Sequence, residues 1–180
     1  MTLFSTEFRA VYDEHFEFVW RSLRRLGVRE ADAMDLTQKV FLAVHMGWSE
    51  FEGRSKVRTW LFGICRRIAS DYRRSSPIRR EVVTDAAVLE VEGAEHDVPA
   101  SAESRQRANV AEAILNRMPE PQRVVFVLFE LEEMPGEQIA ELLDLSIGTV
   151  RSRLRLARER FRREVKRLAA ADPMGRKEAV

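Results

Sequence analysis

The sequence predicts an all-helical protein built as two small bundles, and three observations carry that prediction. Apolar residues recur at spacings of three and four along most of the chain, whereas the alternating pattern of a sheet occurs nowhere. Between the periodic halves, Ser75–Ser104 has little periodicity and contains Pro77, Gly93 and Pro99. The chain has 180 residues, enough for one large domain or two small ones, and shows no internal repeat. These features divide it into a helical domain over 5–76, a flexible acidic linker over 77–104, a second helical domain over 105–170 and a polar tail over 171–180.

The first helix is expected over Glu7–Gly27, where Phe8, Val11, Tyr12, Phe16, Val19, Trp20, Leu23 and Leu26 follow helical spacing and Gly27 suits a C-cap. Glu30–Met46 reads as the second, with Ala33, Leu36, Val40 and Val44 on one face. A turn over Trp48–Lys56 leads into a third helix over Val57–Arg74, where Trp60, Leu61, Ile64, Ile68 and Tyr72 are read as sharing a face and Pro77 as the stop. Periodicity resumes near Arg105 with Val110, Ile114, Leu115 and Met118, and a helix from about Pro121 to Glu132 follows the break at Pro119. Gln138–Leu143 and Ile147–Leu168 complete the series.

Net charge is only +1, from 30 Lys+Arg against 29 Asp+Glu, but the signs are segregated. Basic residues crowd Arg66–Arg80 and Arg151–Arg167. Glu81, Asp85, Glu90, Glu92, Glu95, Asp97 and Glu103 hold the stretch between, which lacks Lys and Arg from Glu81 to Ser104. Two positive patches therefore flank a negative strap. The single cysteine, Cys65, excludes an internal disulfide and a multi-cysteine zinc site. No signal peptide pattern opens the sequence, and no apolar run approaches a membrane span, so a soluble cytoplasmic protein without membrane insertion is expected. The chain runs only a short polar way past Leu168, so no long extra C-terminal domain is expected.

The strongest local signal is a helix-turn-helix from Pro135 to about Arg163. Ile139, Leu142 and Leu143 face inward from its short first helix, and Ala140 is small where the second must cross. Asp144 is a tolerable residue for a left-handed turn. Ser146 is a good N-cap for the second helix. Val150, Leu154 and Ala157 face the core, leaving Thr149, Arg151, Ser152, Arg155 and Arg158 outward. In such a motif the early residues of the second helix touch base edges in the major groove, and further arginines neutralise phosphates. A bare basic run is usually a solvated surface. Here the short helix, turn, N-cap and nearly acid-free face occur together, which favours DNA.

In the first half, Asp32, Asp35 and Gln38 lie three residues apart, opposite Leu36 and Val40. Alone they describe an ordinary polar helix face. Arg58, Arg66, Arg67, Arg73 and Arg74 accompany Trp60 and Tyr72 on the third helix, a mixture that suits melted or single-stranded DNA. The spacing of Trp60 with Ile64 and Ile68 makes it core or half-core.

Together these segments resemble a family. Asp32-Ala33-Met34-Asp35-Leu36-Thr37-Gln38-Lys39-Val40-Phe41, Arg58-Thr59-Trp60-Leu61-Phe62-Gly63-Ile64 and Gly148-Thr149-Val150-Arg151-Ser152-Arg153-Leu154 are similar to the sigma-70 family of bacterial RNA polymerase sigma factors. The two-domain length matches its extracytoplasmic-function (ECF) group. The resemblance implies that the Asp32–Val44 helix docks on core RNA polymerase, with Asp32, Asp35 and Gln38 as contacts. It implies that Lys56, Arg58, Trp60, Arg66, Arg67, Ser70, Arg73 and Arg74 serve −10 recognition and strand opening. Ser146, Thr149, Arg151, Ser152, Arg155 and Arg158 would meet the −35 promoter DNA. It further implies an anti-sigma factor, often membrane-anchored, a stress or envelope response, and a linker that passes through polymerase channels later occupied by RNA. Lys39 and Met34 stand where acids are common in the family's core-binding helix, which implies a thinner polar contact there; Arg67, where Asn is common, and Leu156, where Arg is frequent, bear on promoter preference.

Two other functions compete for the same residues. A DNA-binding regulator that works without polymerase would share the C-terminal half but needs a ligand pocket or phosphoacceptor, for which no signature is present. An enzyme is disfavoured: there is no Gly-rich phosphate loop, and His15, His45 and His96 are widely scattered. No cofactor and no metal site are expected.

Overall fold

The first turn of the chain's first helix, α1 (Thr6–Arg25), begins a run of apolar side chains that buries Phe8, Val19, Leu23 and Leu26. Its end follows from one glycine. In the computed structural model Gly27 adopts φ 97°, the left-handed region where a side chain is disfavoured. That turn lets the Gly27 amide bond the Arg24 carbonyl at 3.0 Å and the Val28 amide bond the Leu23 carbonyl at 3.0 Å. This is a Schellman closure, and it carries Val28 into the core beside the helix it terminates. The structure describes residues 6–51, 53, 56–75 and 102–171, so the expected linker and polar tail lie almost wholly outside the described residues.

Helix α2 (Glu30–Gly47) buries Ala33, Leu36, Val40 and Val44 as its periodicity requires, together with Thr37 and Phe41. The Thr37 hydroxyl donates to the Ala33 carbonyl at 2.8 Å, which satisfies a buried polar group within its own helix. A short 3-10 turn (Trp48–Glu50) precedes α3 (Val57–Arg74). The three helices pack on one another pairwise. Arg24, buried near the end of α1, keeps its charge satisfied by the Val28 carbonyl at 3.1 Å and Glu30 at 3.5 Å.

The core face of α3 differs from the expected one. Leu61, Phe62, Cys65, Ala69 and Tyr72 are buried, whereas Trp60, Ile64 and Ile68 are only half-buried. Leu61 and Tyr72 are buried as expected, while Cys65 and Ala69, one residue on, take the places of Ile64 and Ile68, and Phe62 is buried as well. The buried stripe is thus rotated, and Trp60 is left on the flank.

The chain divides into two compact units between Arg105 and Gln106. In the second, α4 (Ala102–Asn116) starts a few residues earlier than its apolar pattern, because Ala102 and Glu103 are themselves helix formers. Ile114, Leu115 and Met118 are buried at its end. The short helix α5 (Glu120–Phe126) passes without a break into a π turn (Val127–Leu131), where the Glu132 amide bonds the Val127 carbonyl five residues back at 3.0 Å. Val124 to Leu128 are buried in succession, and Phe126 stacks on Phe161 of the last helix at 5.0 Å. Arg123, only 1% exposed, donates to the Met118 carbonyl at 2.8 Å.

Helix α6 (Gly136–Leu143) begins two residues before its expected start, on Pro135. Gly136 gives room to the helix that follows, since a Cβ there would stand 3.1 Å from the Ile147 Cδ1 atom and that side chain would have to shift. Asp144 closes the helix at φ 51°, ψ 55°, the left-handed turn its position predicts. Helix α7 (Ile147–Ala171) then crosses α5 and α6 with Val150, Leu154 and Ala157 buried. All described elements are helical, and no strand occurs among the described residues.

Candidate functional site

Three surfaces hold the candidate residues. The first is the start of α7. Ser146 caps it: the Thr149 amide donates to the Ser146 hydroxyl oxygen at 3.1 Å, and the two hydroxyls meet at 2.9 Å. The Ser152 hydroxyl donates back to the Thr149 carbonyl at 3.0 Å. Arg151 and Ser152 are exposed on the first turns. Arg151, Arg155 and Arg158, spaced by four and three, share one face.

These arginines are not equally available. Arg155 pairs with Glu159 one turn on at 2.7 Å. Arg158 reaches across to the π turn, donating to Glu130 at 2.6 Å and lying 5.1 Å over the Phe129 ring. Glu159 could have been read from its i+4 spacing. Glu130 could not, because it lies 28 residues away in sequence.

The second surface is the outer side of α3. Lys56, Trp60, Arg67, Ser70 and Arg74 recur at helical spacing along one stripe, and Arg66 and Arg73 flank it. Arg66, Arg67 and Arg74 are exposed, while Ser70 and Arg73 are half-buried. Arg74 donates to the Ser70 hydroxyl at 3.3 Å and pairs with Asp71. Arg58 stands apart from this stripe, its guanidinium 4.4 Å over the Phe18 ring of α1. At the N-terminal end of the stripe, Trp48, Phe51 and Trp60 form an aromatic cluster. Phe51 and Trp60 are 4.9 Å apart, Trp48 and Phe51 5.7 Å, and Trp48 and Trp60 6.1 Å. Of the three, the resemblance names Trp60 as a site residue and places Phe51 at the start of the loop Phe51–Lys56 of the −10 melting segment, while Trp48 carries no assignment.

The third is the outer face of α2. Asp35 and Gln38 are exposed on it, but Asp32 is not equivalent to them. Its carboxylate accepts from the Tyr72 hydroxyl of α3 at 2.5 Å and from Arg29 Nε at 3.2 Å. The Asp32 hydrogen bond, and then the Tyr72 hydroxyl, raise the pKa of the Arg29 guanidinium beyond its ordinary value, so it stays fully charged. Beside Asp35 and Gln38, Leu42 and Met46 are 60% and 75% exposed. Both stand on the same stripe of the helix as Gln38, one and two turns further on. Sequence reasoning missed both, although Gln38, Leu42 and Met46 are spaced by four.

The chain matches the family models described as Sigma-70 region 2, over residues 11–76, and Sigma-70, region 4, over residues 109–161. It is 30% identical over 152 residues to the ECF RNA polymerase sigma-E factor of Escherichia coli (strain K12), covering 78% of each chain.

The chain belongs to the ECF sigma factors of the sigma-70 family.

A second relative, the ECF RNA polymerase sigma factor SigW of Bacillus subtilis (strain 168), is 25% identical over 171 residues, covering 89% of this chain and 90% of that one. In fold, this ECF sigma factor is similar to the sigma factor RpoE of Bartonella quintana, solved in complex with the anti-sigma factor NepR. The TM-score is 0.68 at 23% identity, over 90% of this chain and 98% of that one. The α1–α3 unit is region 2, and the helix-turn-helix lies in region 4. An ECF sigma factor is a factor of promoter-directed transcription initiation with RNA polymerase and not a catalytic enzyme. Among the described residues, no helix is long and apolar enough to cross a membrane, and no group of three or more His, Cys, Asp or Glu could hold a metal ion.

Proposed function

We propose that this ECF sigma factor docks on core RNA polymerase through the outer face of α2 and grips its promoter at two elements, −35 through α7 and −10 through α3. The observation that carries the reading is the capped start of α7, where exposed Arg151 and Ser152 follow Ser146 and Thr149 on a helix whose other side is buried. A major-groove helix needs that combination: a rigid N-terminus, short hydroxyls and a guanidinium that can bond a base edge in two places.

On α2, Asp35 and Gln38 supply polar contacts and Leu42 and Met46 the apolar surface; Asp32 acts mainly by fixing α2 against α3. On α3, the stripe Lys56, Trp60, Arg67, Ser70 and Arg74, with Arg66 and Arg73 beside it, tracks the −10 strand. The aromatic cluster gives an unstacked base a ring to lie on. Arg58, seated over Phe18, serves from the edge of this surface. The acidic stretch 77–104 follows the path of nascent RNA, whose charge it shares. Domain limits of 5–76 for region 2 and 105–170 for region 4 fit this division of labour. An anti-sigma factor holds the protein inactive in the cytoplasm until a stress or envelope signal frees it; the solved complex of RpoE with NepR supports a partner of that kind.

The test is run-off transcription with purified core polymerase. Promoter-dependent transcripts are expected only when the protein is added. Transcription no different from core polymerase alone would refute the reading.

A further inference from the structure

In the second unit, the carboxylate with the closest hold on the DNA-facing arginines belongs to no part of α7. Glu130 follows Phe129 in the π turn, and both meet Arg158 of α7. Arg158 is held by both, its Nε donating to Glu130 at 2.6 Å and its guanidinium lying 5.1 Å over Phe129. The pair is partly withdrawn from solvent, with side-chain exposures of 42% for Arg158 and 31% for Glu130. The neighbouring Arg155–Glu159 pair is a more exposed, single-helix contact at 65% and 55%, which a rotamer change would open. Only the Arg158 contact is a tertiary one.

A phosphate oxygen makes the same charge-assisted bond to a guanidinium that a carboxylate makes. We propose that Glu130 sets how tightly this protein holds DNA, by competing with backbone phosphate for Arg158. The inference rests on the reading of α7 as the DNA-contacting helix. When DNA arrives, Arg158 exchanges Glu130 for a phosphate, and the released carboxylate then faces the DNA as a like charge. Both effects lower affinity. Neither depends on base sequence, so Glu130 restrains non-specific and specific binding alike.

The experiment measures equilibrium binding of the reconstituted holoenzyme to a promoter duplex and to a scrambled duplex across a salt series, with Glu130→Gln, Arg158→Ala and the double variant. Glu130 is exposed, so the amide is accommodated without refolding the π turn. Glu130→Gln is expected to tighten both complexes by about fivefold. Arg158→Ala is expected to weaken both and to make the log–log salt slope shallower by about 0.9, the loss of one phosphate contact. In the Arg158→Ala background the gain from Glu130→Gln is expected to vanish.

If Arg158→Ala weakens binding but Glu130→Gln does not tighten it, the competition is wrong and the DNA-facing reading of α7 stands. Weakening by Glu130→Gln would make Glu130 a positioning residue for Arg158, which overturns the proposal in the same way. A gain that survives in the double variant would reduce Glu130 to a general negative charge. An unchanged affinity and salt slope in Arg158→Ala would overturn both the proposal and the DNA role of Arg158.

Discussion

Tyr72 of α3 donates its hydroxyl proton to the carboxylate of Asp32 in α2 at 2.5 Å, joining the candidate polymerase-docking helix to the candidate −10 helix. The Arg29 amide also reaches the Tyr72 oxygen at 3.4 Å, and Arg29 Nε completes the group on Asp32. Helices α2 and α3 therefore share one polar joint. Removing the hydroxyl with Tyr72→Phe is expected to lower region 2 stability by about 1–2 kcal/mol, because a largely buried bond to a charged acceptor is lost. Chemical denaturation of the full chain measures it, and an unchanged midpoint would mean the joint contributes nothing.

Because Asp32 is tied internally, its replacement and that of Asp35 should differ in kind. Asp32→Ala is expected to lower both stability and affinity for core polymerase. Asp35→Ala is expected to lower affinity alone, since Asp35 is exposed. Thermal melts alongside titration with core polymerase separate the two, and equal stability losses would contradict the distinction.

Leu42 and Met46 carry the apolar part of the same face. Leu42→Ala is expected to weaken core binding by about 1–2 kcal/mol, the loss from burying a leucine side chain at an interface, without reducing the melting temperature. A change in melting temperature with unaltered binding would assign Leu42 to the fold instead.

Trp60 is half-buried against Phe51 and Trp48, and the proposed function gives it the role of stacking on an unpaired base. Trp60→Ala is expected to slow strand opening more than it weakens the closed complex. Permanganate reactivity of promoter thymines reads this directly, and a pre-melted template should restore transcription. A defect that persists on the pre-melted template would place Trp60 outside the opening step.

The turn residue of the helix-turn-helix offers a stability test independent of DNA. Asp144 holds φ 51°, where a β-branched residue is strained. Asp144→Val is expected to destabilise region 4 by about 1–2 kcal/mol and Asp144→Gly to leave it unchanged or slightly more stable.

How far the sequence foretold these features depends on the distance over which each is determined. Gly27, Asp144 and Ser146 act within a few residues of themselves, and the Schellman closure, left-handed turn and N-cap stand where local chemistry put them. The periodicity of α2 named its core correctly. On α3 the same reasoning placed Leu61 and Tyr72 correctly but took Ile64 and Ile68 over Cys65 and Ala69, one residue on, a choice that only packing against α1 and α2 makes. The π turn had no sequence signal, because Val124 to Leu131 is almost continuously apolar and admits either winding. The Asp32–Tyr72 and Glu130–Arg158 pairs join residues 40 and 28 apart, which no periodicity can relate. Local periodicity could therefore place the candidate residues on their helices but could not show that Asp32 and Arg158 are already engaged.

The most direct test of the central claim is the base preference of reconstituted holoenzyme on a randomised promoter library, compared with that of Arg151→Ala. The native protein is expected to enrich two separate short elements. Arg151→Ala is expected to relax preference at one or two positions of the upstream element, at a cost of about 1–3 kcal/mol in specific binding, while the downstream element is unchanged. An unaltered upstream preference in Arg151→Ala, or enrichment of no upstream element at all, would contradict the assignment of α7 to promoter reading.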